Sequence, residues 1–387
     1  MTYQPRLDSW RTIAVLAVMG QHWGETIVCG WIGVLLFFVL SGFLITSLLR
    51  QRKRKGIDRS MGSFVGGFLG RRVLRLFPPY FLLVAIFAAC WLLFRRPPEF
   101  RAQWPYLLSF TSNFWHIGLE SGSMWFGHLW SLAVEWQIYI AWTALVWWLP
   151  EEAFPWIGGL LLLLVPLFRI GAAFLFARQG RDMAFVTLWL YHQPVNYLDA
   201  FAMGSLLTWP KVLHFFQRRA VFLALGILAA LGGLLVIALN WRDSAGPLHV
   251  GALLKASGLG YPVHMGRHGE FLWGYSLLAA LGACALAQTM GGAPWTRFTD
   301  WRMLQYGGKI SYGVYVYHLP LGVLILGALH RLVPLGTPGY ALFGLLFLAV
   351  DIAVVFTIAA YSYSLYEIRF HKAKSPVSSP VAVSAAG

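Results

Sequence analysis

The chain has 387 residues, of which 58% are hydrophobic and only 12% charged, and a formal net charge of +15. A soluble domain of this length needs far more charge to cover its surface, so a water-soluble globular enzyme is excluded. The basic excess is not a nucleic-acid footprint either, because no basic helix carries the polar base-reading side chains such an element needs. Apolar runs of about 20 residues recur along the chain, which reads as an all-α, polytopic transmembrane helical bundle embedded in the lipid bilayer.

Ten spans are expected, near residues 10–28, 31–49, 74–94, 125–149, 156–176, 194–209, 220–240, 270–290, 310–329 and 341–364. The first follows basic residues, as a signal peptide does, but another apolar run follows at once, so it is read as retained. The sixth is the shortest and contains Asn196 and Asp199, which favours a tilted, broken or re-entrant segment. With the N-terminus inside, the inner segments hold 20 of the 30 lysines and arginines, so both termini are expected in the cytoplasm. The basic run from Arg50 to Lys55 reads first as a positive-inside anchor and second as an attractor of anionic lipid. Residues 1–370 form one membrane domain, and the Ser, Pro, Ala and Val-rich tail 371–387 is expected to be disordered. Cys29, Cys90 and Cys284 are scattered without metal-type spacing, so they are read as packing residues and no metal is expected.

The first span carries Asp8, Arg11 and His22. Eleven residues separate Arg11 from His22, which puts them on nearly one helix face, about 16 Å apart along the axis. Ionisable groups at that depth mark function by default, although a helix flank and a packed histidine explain them equally well. Arg71, Arg72 and Arg75 converge on one side of a helix and suit phosphate oxygens, as well as marking an inner helix end. His128, Ser131 and Glu135 are spaced three and four apart, giving an interior polar stripe that serves either helix packing or chemistry. Tyr312, Tyr315 and His318 recur every three residues above Pro320, which is expected to kink the span. Ser41-Gly42 reads as a close helix approach. Asp199, Asp351 and Glu367 read as bundle partners or interface residues, and His116, His192, His249, His264 and His268 fall in expected outer loops. There is no glycine-rich phosphate loop and no G-x-S-x-G elbow.

Five of these blocks, in this order, resemble acyltransferase family 3, integral membrane enzymes that acylate sugars and other hydroxyl-bearing molecules. The matching stretches are Leu7-Asp8-x-x-Arg11 with His22, the run Gly33–Phe43, Arg71-Arg72-x-x-Arg75, His128-Leu-Trp-Ser131-x-x-x-Glu135, and the block 308–320 ending on His318-Leu-Pro320. Glu367 falls where the family often has a terminal glutamate. Thr12, Leu35 and Trp136 depart from the usual residues without removing an ionisable group, which bears on substrate rather than class. The resemblance implies ten spans in a bacterial cytoplasmic membrane, a cytoplasmic acyl-CoA donor (acetyl-CoA first) as co-substrate with no permanently bound cofactor, and an acceptor hydroxyl near the outer face. Some relatives are expected to carry an extra hydrolase-like domain, and none is expected within these 387 residues.

On that reading His22 is the base, Glu135 orients a polar partner, and Arg11 joins Arg71, Arg72 and Arg75 in gripping CoA. His128, Ser131, Tyr315, His318 and Asp8 line the substrate side. The acceptor is a surface polysaccharide or lipid-linked sugar, with a macrolide-type small molecule as the alternative. Two rival classes use the same residues: an organic-anion transporter with a His and Glu proton relay, and a polymer-assembly scaffold indifferent to His22.

Overall fold

The protein is described from a computed structural model, which covers residues 4–23, 29–56, 58–118, 123–243, 258–262, 268–333 and 340–367. Among these residues the chain is helical throughout. The long helices are α1 (Pro5–His22), α2 (Ile32–Arg54), α3 (Met61–Phe94), α6 (Trp130–Trp148), α7 (Phe154–Arg178), α11 (Arg219–Asp243), α12 (Gly274–Met290), α13 (Arg302–Leu332) and α14 (Tyr340–Ser362). Shorter ones connect them: α4 (Phe100–Leu108), α5 (Ser112–Gly118), α8 (Met183–Tyr191), α9 (Leu198–Leu206) and α10 (Pro210–Phe216). Among the described residues seven helices are long and apolar enough to cross a membrane, and an eighth is reached if α12 and the turn Pro294–Asp300, bent by 81°, count as one span. The expected tail 371–387 lies outside the described residues.

Two of the ten expected spans differ in form from a single apolar helix. The segment near 194–209 is a 3-10 turn, Pro194–Tyr197, followed by the nine-residue α9. At 1.5 Å per residue α9 is about 14 Å long, too short for a hydrocarbon core of about 30 Å. Its polar residues are held inside the protein. Arg169 of α7, fully buried, donates to Asp199 Oδ2 (2.7 Å), Asn196 Oδ1 (2.7 Å) and the Asn196 carbonyl (2.8 Å). Arg169 is thus the clamp that lets a broken helix exist at membrane depth. The first span ends at His22 rather than near residue 28, and α1 is too polar to count as a lipid-facing helix. It is an interior element instead.

Glycines decide what α1 touches. A Cβ at Gly308 would stand 1.9 Å from the Asp8 carbonyl oxygen, and one at Gly33 2.2 Å from that of Ala14. Backbones of α13 and α2 therefore lie directly against α1. The same device joins α2 to α9, where Gly42 and Gly204 face the carbonyls of Phe201 and Val39 at 2.0 and 1.8 Å. This is the close approach that small residues permit between membrane helices. By contrast α7, α11 and α14 expose rows of leucine, such as Leu160, Leu163 and Leu164, as lipid-facing helices do.

Local sequence sets the helix ends around this core. Ser60 starts α3 by accepting from the Ser63 amide (3.2 Å), and Ser63 Oγ reaches back to the Ser60 amide, satisfying two orphan donors. Helix α3 runs on through Pro78-Pro79, and α13 runs unbroken through Pro320. The basic run after Arg50 is partly structural. Lys53 Nζ donates to the carbonyls of Val146 (2.7 Å) and Leu149 (2.6 Å), capping α6, and Arg50 and Arg54 both bind Glu151.

Candidate active site

Five helices, α1, α2, α3, α6 and α13, converge on one cavity near the middle of the bundle. Its polar wall is Arg11 from α1, Ser41 from α2, Arg72 and Arg75 from α3, and Ser131 and Glu135 from α6. Tyr139, Ser311, Tyr312 and Tyr315 complete it. The free space is about 80 Å³, room for several waters or a slender chain and not for a bulky ring system.

The charges inside are unevenly matched. Asp8 is buried behind the wall and its Oδ1 accepts from Arg11 Nη1 at 2.6 Å, so the expected substrate residue Asp8 instead aims an arginine. Among the described residues no carboxylate forms an ion pair with Arg72 or Arg75. Arg72 lies over the rings of Phe68 and Tyr139, 5.4 and 5.9 Å from their centroids. Arg71 does not join them: it is exposed and does not line the cavity. Three half-buried guanidiniums thus share one cavity with a single facing carboxylate, Glu135, an arrangement that favours an anion.

Glu135 is engaged away from the histidines. Its Oε1 accepts from Ser41 Oγ at 2.7 Å and from the Tyr139 hydroxyl, and Ser41 and Tyr139 are 3.0 Å apart. Ser41 and Tyr139 are the residues sequence reasoning missed. Tyr139 follows Glu135 by four and so had a signal in the helix spacing; Ser41 sat in an apolar run that reads as packing.

A second cluster lies beyond Tyr315. The Tyr315 hydroxyl is 2.6 Å from Ser131 Oγ and donates to the His128 carbonyl at 3.1 Å. One turn on, His318 Nδ1 lies 2.6 Å from the Tyr315 carbonyl, and His318 Nε2 lies 3.0 Å from His22 Nδ1. A carbonyl only accepts, so neutral His318 carries its proton on Nδ1 and presents a lone pair at Nε2. His22 must then donate from Nδ1, which leaves its Nε2 with the free lone pair of a base. His22 and His318 line a second cavity, of about 410 Å³, on the side away from the arginines. His128 lines neither cavity; its Nε2 is 3.0 Å from the Val316 carbonyl and its ring packs against that of His318.

Matching against known families covers nearly all of this architecture: residues 4–366 match the family described as "Acyltransferase domain", family 3 of the acyltransferases. The chain belongs to acyltransferase family 3. The Bacillus subtilis protein named "Putative peptidoglycan O-acetyltransferase YrhL" is 28% identical over 347 residues, 83% of this chain and 49% of that one. "Peptidoglycan O-acetyltransferase OatA" of Listeria monocytogenes is 32% identical over 158 residues, 37% of this chain and 24% of that one. The chain thus spans about half or less of the length of these relatives. No solved structure matches it.

In this family member the blocks do not act as separate units. The histidines of the first, fourth and fifth blocks form one cluster, and the arginines of the first and third blocks form one wall. Arg71 lies off that wall. His249 and His264, and the side chains of His116 and Glu367, lie outside the described residues. Among the described residues no three His, Cys, Asp or Glu side chains are placed to hold a metal ion.

Proposed function

We propose that this acyltransferase moves an acyl group, acetyl first, from acyl-CoA to a hydroxyl of a cell-envelope polysaccharide. The observation that carries the reading is the pair of cavities on either side of the Tyr315–His318 turn: one lined by cations, the other by the linked His22 and His318. Arg11, Arg72 and Arg75 hold CoA phosphates, and the slender cavity takes the pantetheine arm. In the second cavity the acceptor hydroxyl gives its proton to His22 Nε2 as its oxygen bonds to the thioester carbonyl carbon. The carbon–sulfur bond breaks, and the imidazolium returns the proton to the CoA thiolate, leaving an ester and free CoA. His318 orients His22 through the 3.0 Å contact.

The lysine and arginine bias supports both termini in the cytoplasm of a bacterial cell, with the arginine cavity facing the donor pool. The names of the relatives support peptidoglycan as the acceptor to try first; a macrolide-type small molecule is the alternative. Membership of an acyltransferase family weighs against the anion transporter and the scaffold.

Purified protein supplied with labelled acetyl-CoA and a soluble peptidoglycan disaccharide is expected to transfer label, and His22→Ala to lose that transfer while still inserting and accumulating. Retained turnover in His22→Ala would sink the assignment of the base. Absence of any transfer by the wild type would sink the proposed reaction.

A further inference from the structure

The cavity on the histidine side holds a carboxylate with no task in the scheme above. Asp351 of α14 is buried, only 3% exposed, and lines the same cavity as His22, His318 and His330. Its Oδ1 has no hydrogen-bond partner among the described residues. A buried carboxylate oxygen without a partner costs free energy that packing alone does not return. The feature therefore asks for a ligand that supplies donors. The surrounding wall leaves room for one. Gly322 puts only backbone beside Asp351, so that even an added Cβ would stay 3.7 Å from Oδ2. Gly327, one and a half turns further along the same helix, faces open space. The free volume, about 410 Å³, falls within the usual range of about 300–1,000 Å³ for a small-molecule pocket.

We infer that Asp351 holds the acceptor: its carboxylate accepts hydrogen bonds from sugar hydroxyls beside the one that reacts, setting that one against His22 Nε2. This rests on the acyl-transfer reading and adds to it the acceptor's binding residue. The chemistry recognised is a polyol. A carboxylate accepts from two neighbouring hydroxyls at once, and the imidazoles of His22 and His330 supply further polar contacts across the cavity. A lone alcohol gives Asp351 nothing once its hydroxyl is committed to His22, so the site favours a sugar over a simple alcohol. Asp351 is then destabilising in the empty protein and satisfied in the complex, the trade expected where function sets the residue.

The test uses purified full-length protein, labelled acetyl-CoA and the peptidoglycan disaccharide. Asp351→Asn is expected to raise the KM for the disaccharide tenfold or more and leave the KM for acetyl-CoA unchanged. It should also unfold at the same or a higher temperature than the wild type, because it removes an unpartnered charge. Gly327→Leu, which fills open space, is the second variant: it should raise the same KM without touching the carboxylate or the arginine wall. An unchanged disaccharide KM in both variants would overturn the inference, as would a fall in unfolding temperature with donor and acceptor constants worsening together, which marks a structural role. A wild type inert toward acetyl-CoA and disaccharide fails at the earlier step, in the proposed reaction, and takes this inference with it.

Discussion

Arg71, Arg72 and Arg75 look equivalent in sequence, and the fold separates them. Arg72 and Arg75 face the cavity with Arg11, whereas Arg71 points outward. Hydrogen bonds to charged groups contribute about 1.5–3 kcal/mol each. Arg72→Ala is therefore expected to raise the KM for acetyl-CoA tenfold or more, and Arg71→Ala to change it less than threefold. Steady-state kinetics on the two variants checks this, and equal effects would return Arg71 to the donor site. Asp8 illustrates the same separation. Its place in the family's opening block marks it as functional, yet what it holds is Arg11, at 2.6 Å, rather than a place on the cavity wall.

Among the helices, glycine controls the register that brings the site together. Because Gly308 lets α13 rest on the Asp8 carbonyl, the two helices run side by side in the same direction until His22 meets His318. The α2–α9 contact depends on the same absence of a side chain. Gly204→Val places carbon where the Val39 carbonyl oxygen already sits, 1.8 Å away. Overpacking of this kind costs about 1–3 kcal/mol or more, so the variant is expected to unfold at a clearly lower temperature in detergent. Gly226→Ala on α11, where a Cβ meets nothing within 4 Å, should be neutral or slightly stabilising. Similar unfolding temperatures for the two variants would refute the backbone contact. The short α9 shows how a broken segment is held: Arg169 of α7 fixes Asn196 and Asp199 inside the protein.

Across the whole molecule, the polar groups collect along one line from the arginine cavity through Tyr315 and the histidine pair to the cavity of Asp351. Lipid-facing helices surround that line. If the arginine end faces the cytoplasm, the connection between α2 and α3 does too, and Arg331 near the end of α13 lies opposite. In a cysteine-free background, a membrane-impermeant thiol reagent is expected to label Arg331→Cys in intact cells and Lys55→Cys only after lysis. The reverse pattern would invert the orientation.

Much of this was legible from one sequence. Composition required a helical membrane protein, because 12% charge cannot clothe a soluble chain of 387 residues. Motif order brought His22, Glu135, Arg72 and His318 to notice, since ionisable side chains stand out against an apolar background. Only the tertiary structure decided which of them meet. Helical spacing ranks residues on one helix, whereas the pairings Ser41–Glu135, His22–His318 and Arg169–Asp199 join helices far apart in the chain. Those contacts depend on glycines that read as spacers until the backbones they admit are seen. Asp351 is the clearest case: in sequence it is one carboxylate in an apolar helix, and its meaning comes from the cavity that other helices build around it.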